Sequence, residues 1–131
     1  MPVIGGPVDR QEYLEIFARR DNVVRDKSKW FSRESIEDYV GENWEYLLYP
    51  GMILGESDGH LVPYNSGAAY GTGSDTATGV LGQMIDVGLS DQGVAQVIHA
   101  QLIEANCYVF GSDIGDISNA IKTDLTMIQW V

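Results

Sequence analysis

The chain has 131 residues, 44% of them hydrophobic and 21% charged, a size and balance that suit one soluble domain with an appendage. Its formal net charge of −11 repels phosphate, so nucleic acid and anionic membranes are not expected partners. One cysteine, Cys107, excludes an internal disulfide and a cysteine-based zinc site.

Charge is distributed unevenly. Seven of the eight basic residues fall between Arg10 and Arg33, and none lies between Glu34 and Ile121. Residues 50–131 carry nine acids and one base. The basic stretch is suited either to grip an acidic surface or to pair with the ten acids of residues 1–49. No apolar run approaches the ~20 residues that span a bilayer. The opening MPVIGGPVDRQEY has no basic segment followed by an apolar one, so no signal peptide is expected and synthesis in a reducing cytoplasm is.

In chain order, residues 1–8 hold two Gly and two Pro without periodicity and read as an extended arm. Asp9 with Glu12 forms a capping-box pattern, and Tyr13, Leu14, Phe17 and Ala18 follow at helical spacing, predicting a helix over 9–20. A short helix is expected over 33–40, capped by Ser32 or Ser35 and stopped at Gly41. Between them Trp30 and Phe31, adjacent aromatics in polar surroundings, need cover from this domain or from a partner.

From Trp44 the pattern changes to short strands. Residues 44–49 predict a strand closed by Pro50-Gly51. Met52–Leu54 and His60–Val62 flank Ser57-Asp58-Gly59, a strong hairpin signal because glycine takes positive φ freely. Residues 65–79 form a glycine-rich loop, and strands are expected at 79–89 and 93–104, the second covered on both faces. Ser112 or Asp113 is placed to cap a helix over 114–125, whose stripe Ile114, Ile117, Ile121, Leu125 and Ile128 faces a core. A final strand closes the chain at 127–131. The fold class expected is mainly β: a small antiparallel β-barrel over 45–131 with one packed C-terminal helix, preceded by a helical and extended N-terminal extension over 1–44.

Chemistry is sparse. Glu56, Asp58 and His60 gather within five positions, but at an exposed hairpin tip with nothing to orient them as metal ligands. His99 stands among apolar strand residues and reads as a hydrogen-bonded, partly buried histidine. No G-x-S-x-G elbow exists, and Gly71-Thr72-Gly73-Ser74-Asp75-Thr76 lacks the last glycine of a dinucleotide loop. Cys107, in Asn106-Cys107-Tyr108-Val109, reads as an inert core thiol. No catalytic residue, metal or cofactor is assigned. A ligand-binding module or metal-dependent enzyme built on His60 and His99 stands as the alternative class.

Three segments, taken together, resemble a known family. Leu48–Leu54 followed by Asp58–Tyr64, then Ala77-Thr78-Gly79-Val80-Leu81-Gly82, then Val97–Asn106 with a helix and Met127–Val131 are similar in order and spacing to the lambda-like head decoration, or capsid cement, proteins of tailed bacteriophages. Ala100 departs from the family pattern, where many members have glycine, and residues 1–44 have no clear counterpart. The resemblance implies a β-tulip domain that assembles as a homotrimer at local three-fold axes on the outer surface of a virion. There it binds the major capsid protein and stabilises the shell. It directs attention to the N-terminal region as the capsid-binding segment: Val3 and Ile4 in the arm, the bases Arg10, Arg19, Arg20, Arg25, Lys27 and Lys29, and Trp30 and Phe31 as apolar anchors. Another head or tail component of a virion is the neighbouring alternative.

Overall fold

Thirteen residues separate Phe17 from Phe31, and both pair with strands much later in the chain. A computed structural model describes residues 15–36, 47–65, 74–88, 90–110 and 112–131. In chain order its strands are β1 (Phe17–Arg25), β2 (Lys29–Phe31), β3 (Leu47–Leu48), β4 (Ile53–Ser57), β5 (His60–Pro63), β6 (Gly79–Val80), β7 (Ile85–Asp86), β8 (Gln92–Val94), β9 (Val97–Leu102) and, after helix α1 (Asn119–Asp124), β10 (Ile128–Trp130). The protein is mainly β, as the sequence suggests, with a curled half-barrel sheet of mixed strand directions and one helix.

The large sheet runs β1-β9-β6-β4-β5-β2-β8, with β10 parallel to β9, while β3 and β7 form a separate pair. Its two ends are halves of one bent ribbon. At one end Lys29, Trp30 and Phe31 pair antiparallel with Val94, Gly93 and Gln92. At the other, Arg25, Val24, Arg19 and Phe17 pair with Val97, His99, Gln101 and Leu102. The ribbon turns its corner through residues 26–28 and 95–96, held by the Asp26 amide donating to the Gln96 carbonyl at 2.9 Å. Because β2 also pairs with β5, through Phe31 and Leu61, the sheet must curl.

The helix expected over 9–20 is corrected by this ribbon. From Phe17 onward the chain is a strand, and residues 9–14 lie outside those described. Helical spacing there is a local signal, and pairing with β9 overrides it. The strand is bulged, since Arg19 and Val24 oppose Gln101 and His99, and Asn22 takes φ +61°. The second expected helix is one 3-10 turn, Arg33–Ile36, with 37–40 outside the described residues. The strand of 44–49 is Leu47–Leu48, with 44–46 likewise outside.

The predicted hairpin is present as β4 and β5, and Asp58 (φ +53°) and Gly59 (φ +79°) both take the left-handed conformation of its turn. Double covering falls on β4, where Ile53 and Leu54 point into different cores and are both fully buried. β9 buries Ala100 and Leu102 on one face and Val97 on the other, with Ile98, His99 and Gln101 partly buried, so the two-sided cover expected for 93–104 is partial. One core packs Ile53, Val80, Ala100 and Leu102 against Ile117, Ile121, Leu125 and Ile128. The other gathers Phe31, Leu54, Leu61, Leu81 and Val94 inside the curl. α1 is shorter than the helix expected over 114–125 and is capped by the Ser118 hydroxyl, which accepts from the Ile121 amide.

A cationic and aromatic corner as the candidate binding site

The corner of the ribbon is built around a polar plug. Glu56 shares a face of the hairpin with Leu54 and Leu61, because Leu61 is its cross-strand partner. Lys29 shares a face of β2 with the buried Phe31. Their ends meet at 2.8 Å, and Lys29 Nζ also lies 3.1 Å from Asp26 Oδ2. Gln96, 1% exposed, donates Nε2 to Glu56 Oε2 at 3.2 Å and accepts from the Thr78 hydroxyl at 3.0 Å. Gly79 leaves room for it, as a Cβ there would fall 2.5 Å from Gln96 Oε1. Hydrogen bonds from Glu56 and then Asp26 hold the Lys29 ammonium above the usual lysine range. Lys29 and the Lys27 amide hold the Asp26 carboxyl below the usual carboxylate range.

The residues expected to meet a capsid separate into distinct groups. Val3, Ile4 and Arg10 lie outside the described residues. Arg19 forks onto Asp21 at 3.0 and 2.8 Å, and Arg20 pairs with Glu15 at 2.6 Å while standing 5.0 Å from the Phe17 ring centre. Lys29 belongs to the plug, and Phe31, with 0% exposure, belongs to the inner core. Arg25 and Lys27 form no ion pair among the described residues. Arg25 reaches over the Phe17 ring at 5.8 Å, and Lys27 is exposed. Trp30, at 59% exposure, projects from the outer face of β2 opposite Gly93. Arg25, Lys27 and Trp30 are thus exposed along the segment that turns from β1 into β2.

Met84 and Gly93 join this surface and escaped the sequence reading. Gly93 pairs opposite Trp30 and lines a groove together with Met84, which is 52% exposed. That register depends on pairing between distant strands, so no local signal announces it.

The histidine alternatives are placed elsewhere. Ser57, not Glu56, lies opposite His60, so Glu56 and His60 project from opposite faces of the hairpin. His60 Nδ1 is 3.2 Å from the Asp58 carbonyl, and Nε2 is 3.9 Å from Asp91 Oδ2. His99 Nδ1 lies 2.7 Å from the Asn22 carbonyl, as a hydrogen-bonded strand histidine should. Among the described residues no three His, Cys, Asp or Glu side chains are placed to hold a metal ion. Cys107 is fully buried, and burial pushes its thiol up to about 12. Comparison of the chain with protein-family models, curated proteins and solved structures finds no match.

Proposed function

We propose that the chain is a structural virion protein that binds the outside of a bacteriophage capsid as a trimer at local three-fold axes and stabilises the shell. The finer fold proposed with it is a small barrel of the β-tulip kind. One observation carries the reading: Trp30 stands exposed within five residues of exposed Arg25 and Lys27, two bases without carboxylate partners among the described residues, in a chain of net charge −11. A large exposed aromatic next to unpaired cations is the composition of a protein-binding hot spot. The acidic remainder of the chain suits a surface turned to solvent. Three weak corners on a trimer bind a symmetric shell with high effective concentration, so no single contact has to be strong. The major capsid protein is the partner this predicts.

Cryo-electron microscopy of the parent virion, with and without the gene for this chain, tests the reading. Density for three copies around each local three-fold axis, lost with the gene, is expected. An unchanged outer surface refutes it.

A further inference from the structure

A cleft of about 350 Å³ opens where the 3-10 turn, the β4–β5 hairpin and the segments around Ser74 and Phe110 converge. Its walls are held by backbone bonds. The Asn65 amide donates to the Ser74 carbonyl at 2.8 Å, and the Ser112 amide to the Val109 carbonyl at 2.9 Å. Gly55 lets the Ser74 segment lie against β4, since a Cβ there would fall 3.1 Å from Ser74 Cα. Val62 and Phe110 give the cleft apolar surface, and Phe110 is partly exposed while packed against the inner core.

The polar lining is of one kind. Ser35, Ser57, Ser74 and Ser112 supply hydroxyls and Asn65 an amide. None of the lining residues is charged, in a chain where 21% are. A serine hydroxyl donates one hydrogen and accepts through two lone pairs. Those of Ser57 and Ser112 make no hydrogen bond among the described residues. The Ser35 hydroxyl donates to the Ser32 carbonyl at 2.6 Å, which leaves its oxygen as an acceptor.

We propose that this cleft binds a short neutral saccharide, whose hydroxyls exchange hydrogen bonds with Ser35, Ser57, Ser112 and Asn65 and whose C–H face packs on Phe110. Sugar hydroxyls donate and accept at once, as serine hydroxyls do and as ammonium and carboxylate groups do not. A charged ligand would lose water here without gaining a counter-ion. The electron-rich face of an aromatic ring attracts the polarised C–H groups of a sugar ring. A peptide added as a strand is disfavoured, because that mode draws on free backbone amides. Pro63 has none, Tyr64 gives its amide to the Ile53 carbonyl at 3.0 Å, and that of Asn65 goes to Ser74. The volume lies near the lower end of the range for small-molecule sites, roughly 300–1,000 Å³, which suits a mono- or disaccharide. The inference does not depend on the shell-binding reading.

The test uses the full chain, isotope-labelled, in NMR titrations with maltose, cellobiose, lactose and diacetylchitobiose. Digalacturonic acid, the cationic glucosamine dimer and a capped tetra-alanine peptide serve as controls. At least one neutral disaccharide should shift the amide signals of Ser57, Phe110 and Ser112 saturably, while the controls leave them in place. Ser57→Ala and Ser112→Ala should each weaken that binding by about fivefold, and the double variant should weaken it further. Thermal unfolding should be nearly unchanged in all three. Ser112 is exposed, so its single variant keeps the test decisive if the change in β4 disturbs the hairpin. No saturable shift with any of the four disaccharides overturns the proposal. Equal shifts with a charged dimer or the peptide, or undiminished affinity in folded Ser112→Ala, overturn it too.

Discussion

Lys29 Nζ reaches Glu56 Oε2 at 2.8 Å, joining β2 to β4 across the strand β5 that lies between them. The pair closes one end of the inner apolar cluster, and it is only partly exposed, at 26% and 31%. Lys29→Met keeps the aliphatic stem and removes the cation, leaving Glu56 and Asp26 without their shared partner. A loss on the order of 1 kcal/mol in urea unfolding at neutral pH is expected.

The pH dependence of this cluster has a definite sign. The Lys29 ammonium is held above its ordinary value of 10.5, so its stabilisation is complete below 10.5 and fades as pH rises past the raised value. The gap between wild type and Lys29→Met should hold from pH 7 to 10 and narrow above that. Asp26 is held below 3.8, so its contribution is present above 3.8 and lost as pH falls through the lowered value. Asp26→Asn should therefore differ from wild type at neutral pH and converge with it in acid. Urea midpoints across the range decide the matter, and a gap that never changes with pH would remove the plug from the account.

The adjacent aromatics should behave as opposites. Phe31 is fully buried, and Phe31→Ala should cost about 3–5 kcal/mol. Trp30 is 59% exposed, and Trp30→Ala should change stability by no more than ~0.5 kcal/mol while impairing attachment to the shell. Thermal unfolding and shell co-sedimentation separate the two effects. A large stability loss in Trp30→Ala would make the tryptophan part of the fold.

This pair also marks where the sequence was legible and where it was not. Residues that alternate along a strand point to opposite faces, so one of two neighbours in β2 had to be buried. That rule applies only once the segment is known to be a strand, and β2 is defined by partners β5 and β8, which come much later in the chain. The Asp58-Gly59 hairpin was readable because turn chemistry is local. Of the stripe from Ile114 to Ile128, the members Ile117, Ile121, Leu125 and Ile128 were readable as a buried set, but not as one helix. Gly115 takes φ +88° and breaks the run, Ile114 is 39% exposed, and Ile128 reaches the core from β10. The exposed set Arg25, Lys27 and Trp30 was partly visible as basic and aromatic composition, while Met84 and Gly93 required the fold.

Two glycines with positive φ allow backbone strain to be separated from crowding. Gly59, at the hairpin turn, has open space where a Cβ would go, so Gly59→Ala should cost about 1 kcal/mol from conformation alone. At Gly51 (φ +101°) a Cβ would fall 2.7 Å from the Asn106 carbonyl oxygen. The segment cannot easily yield, since the Gly51 amide donates to the Leu81 carbonyl at 2.8 Å and its carbonyl accepts the Tyr108 amide at 2.9 Å. Gly51→Ala should therefore cost at least ~1 kcal/mol more than Gly59→Ala. Equal losses in chemical denaturation would show that the Asn106 segment moves aside freely.

Cys107 tests the packing between β9 and α1. It belongs to the outer core with Leu102, Ile117 and Ile121, its carbonyl accepts the Gly115 amide at 2.7 Å, and no part of it is exposed. Burial, with a smaller contribution from the Glu104 charge, pushes the thiol up to about 12. Since the thiolate is the nucleophile, access and ionisation oppose reaction together at pH 8. Labelling by a disulfide reagent should be slower in the native protein than in urea by on the order of a thousandfold, with one thiol released per chain after unfolding. The native rate then reports local opening of this core, and variants that loosen it, such as Ile121→Ala, should raise that rate before they shift the global unfolding midpoint greatly. Native labelling as fast as the unfolded rate would mean that the core around Cys107 is open in solution.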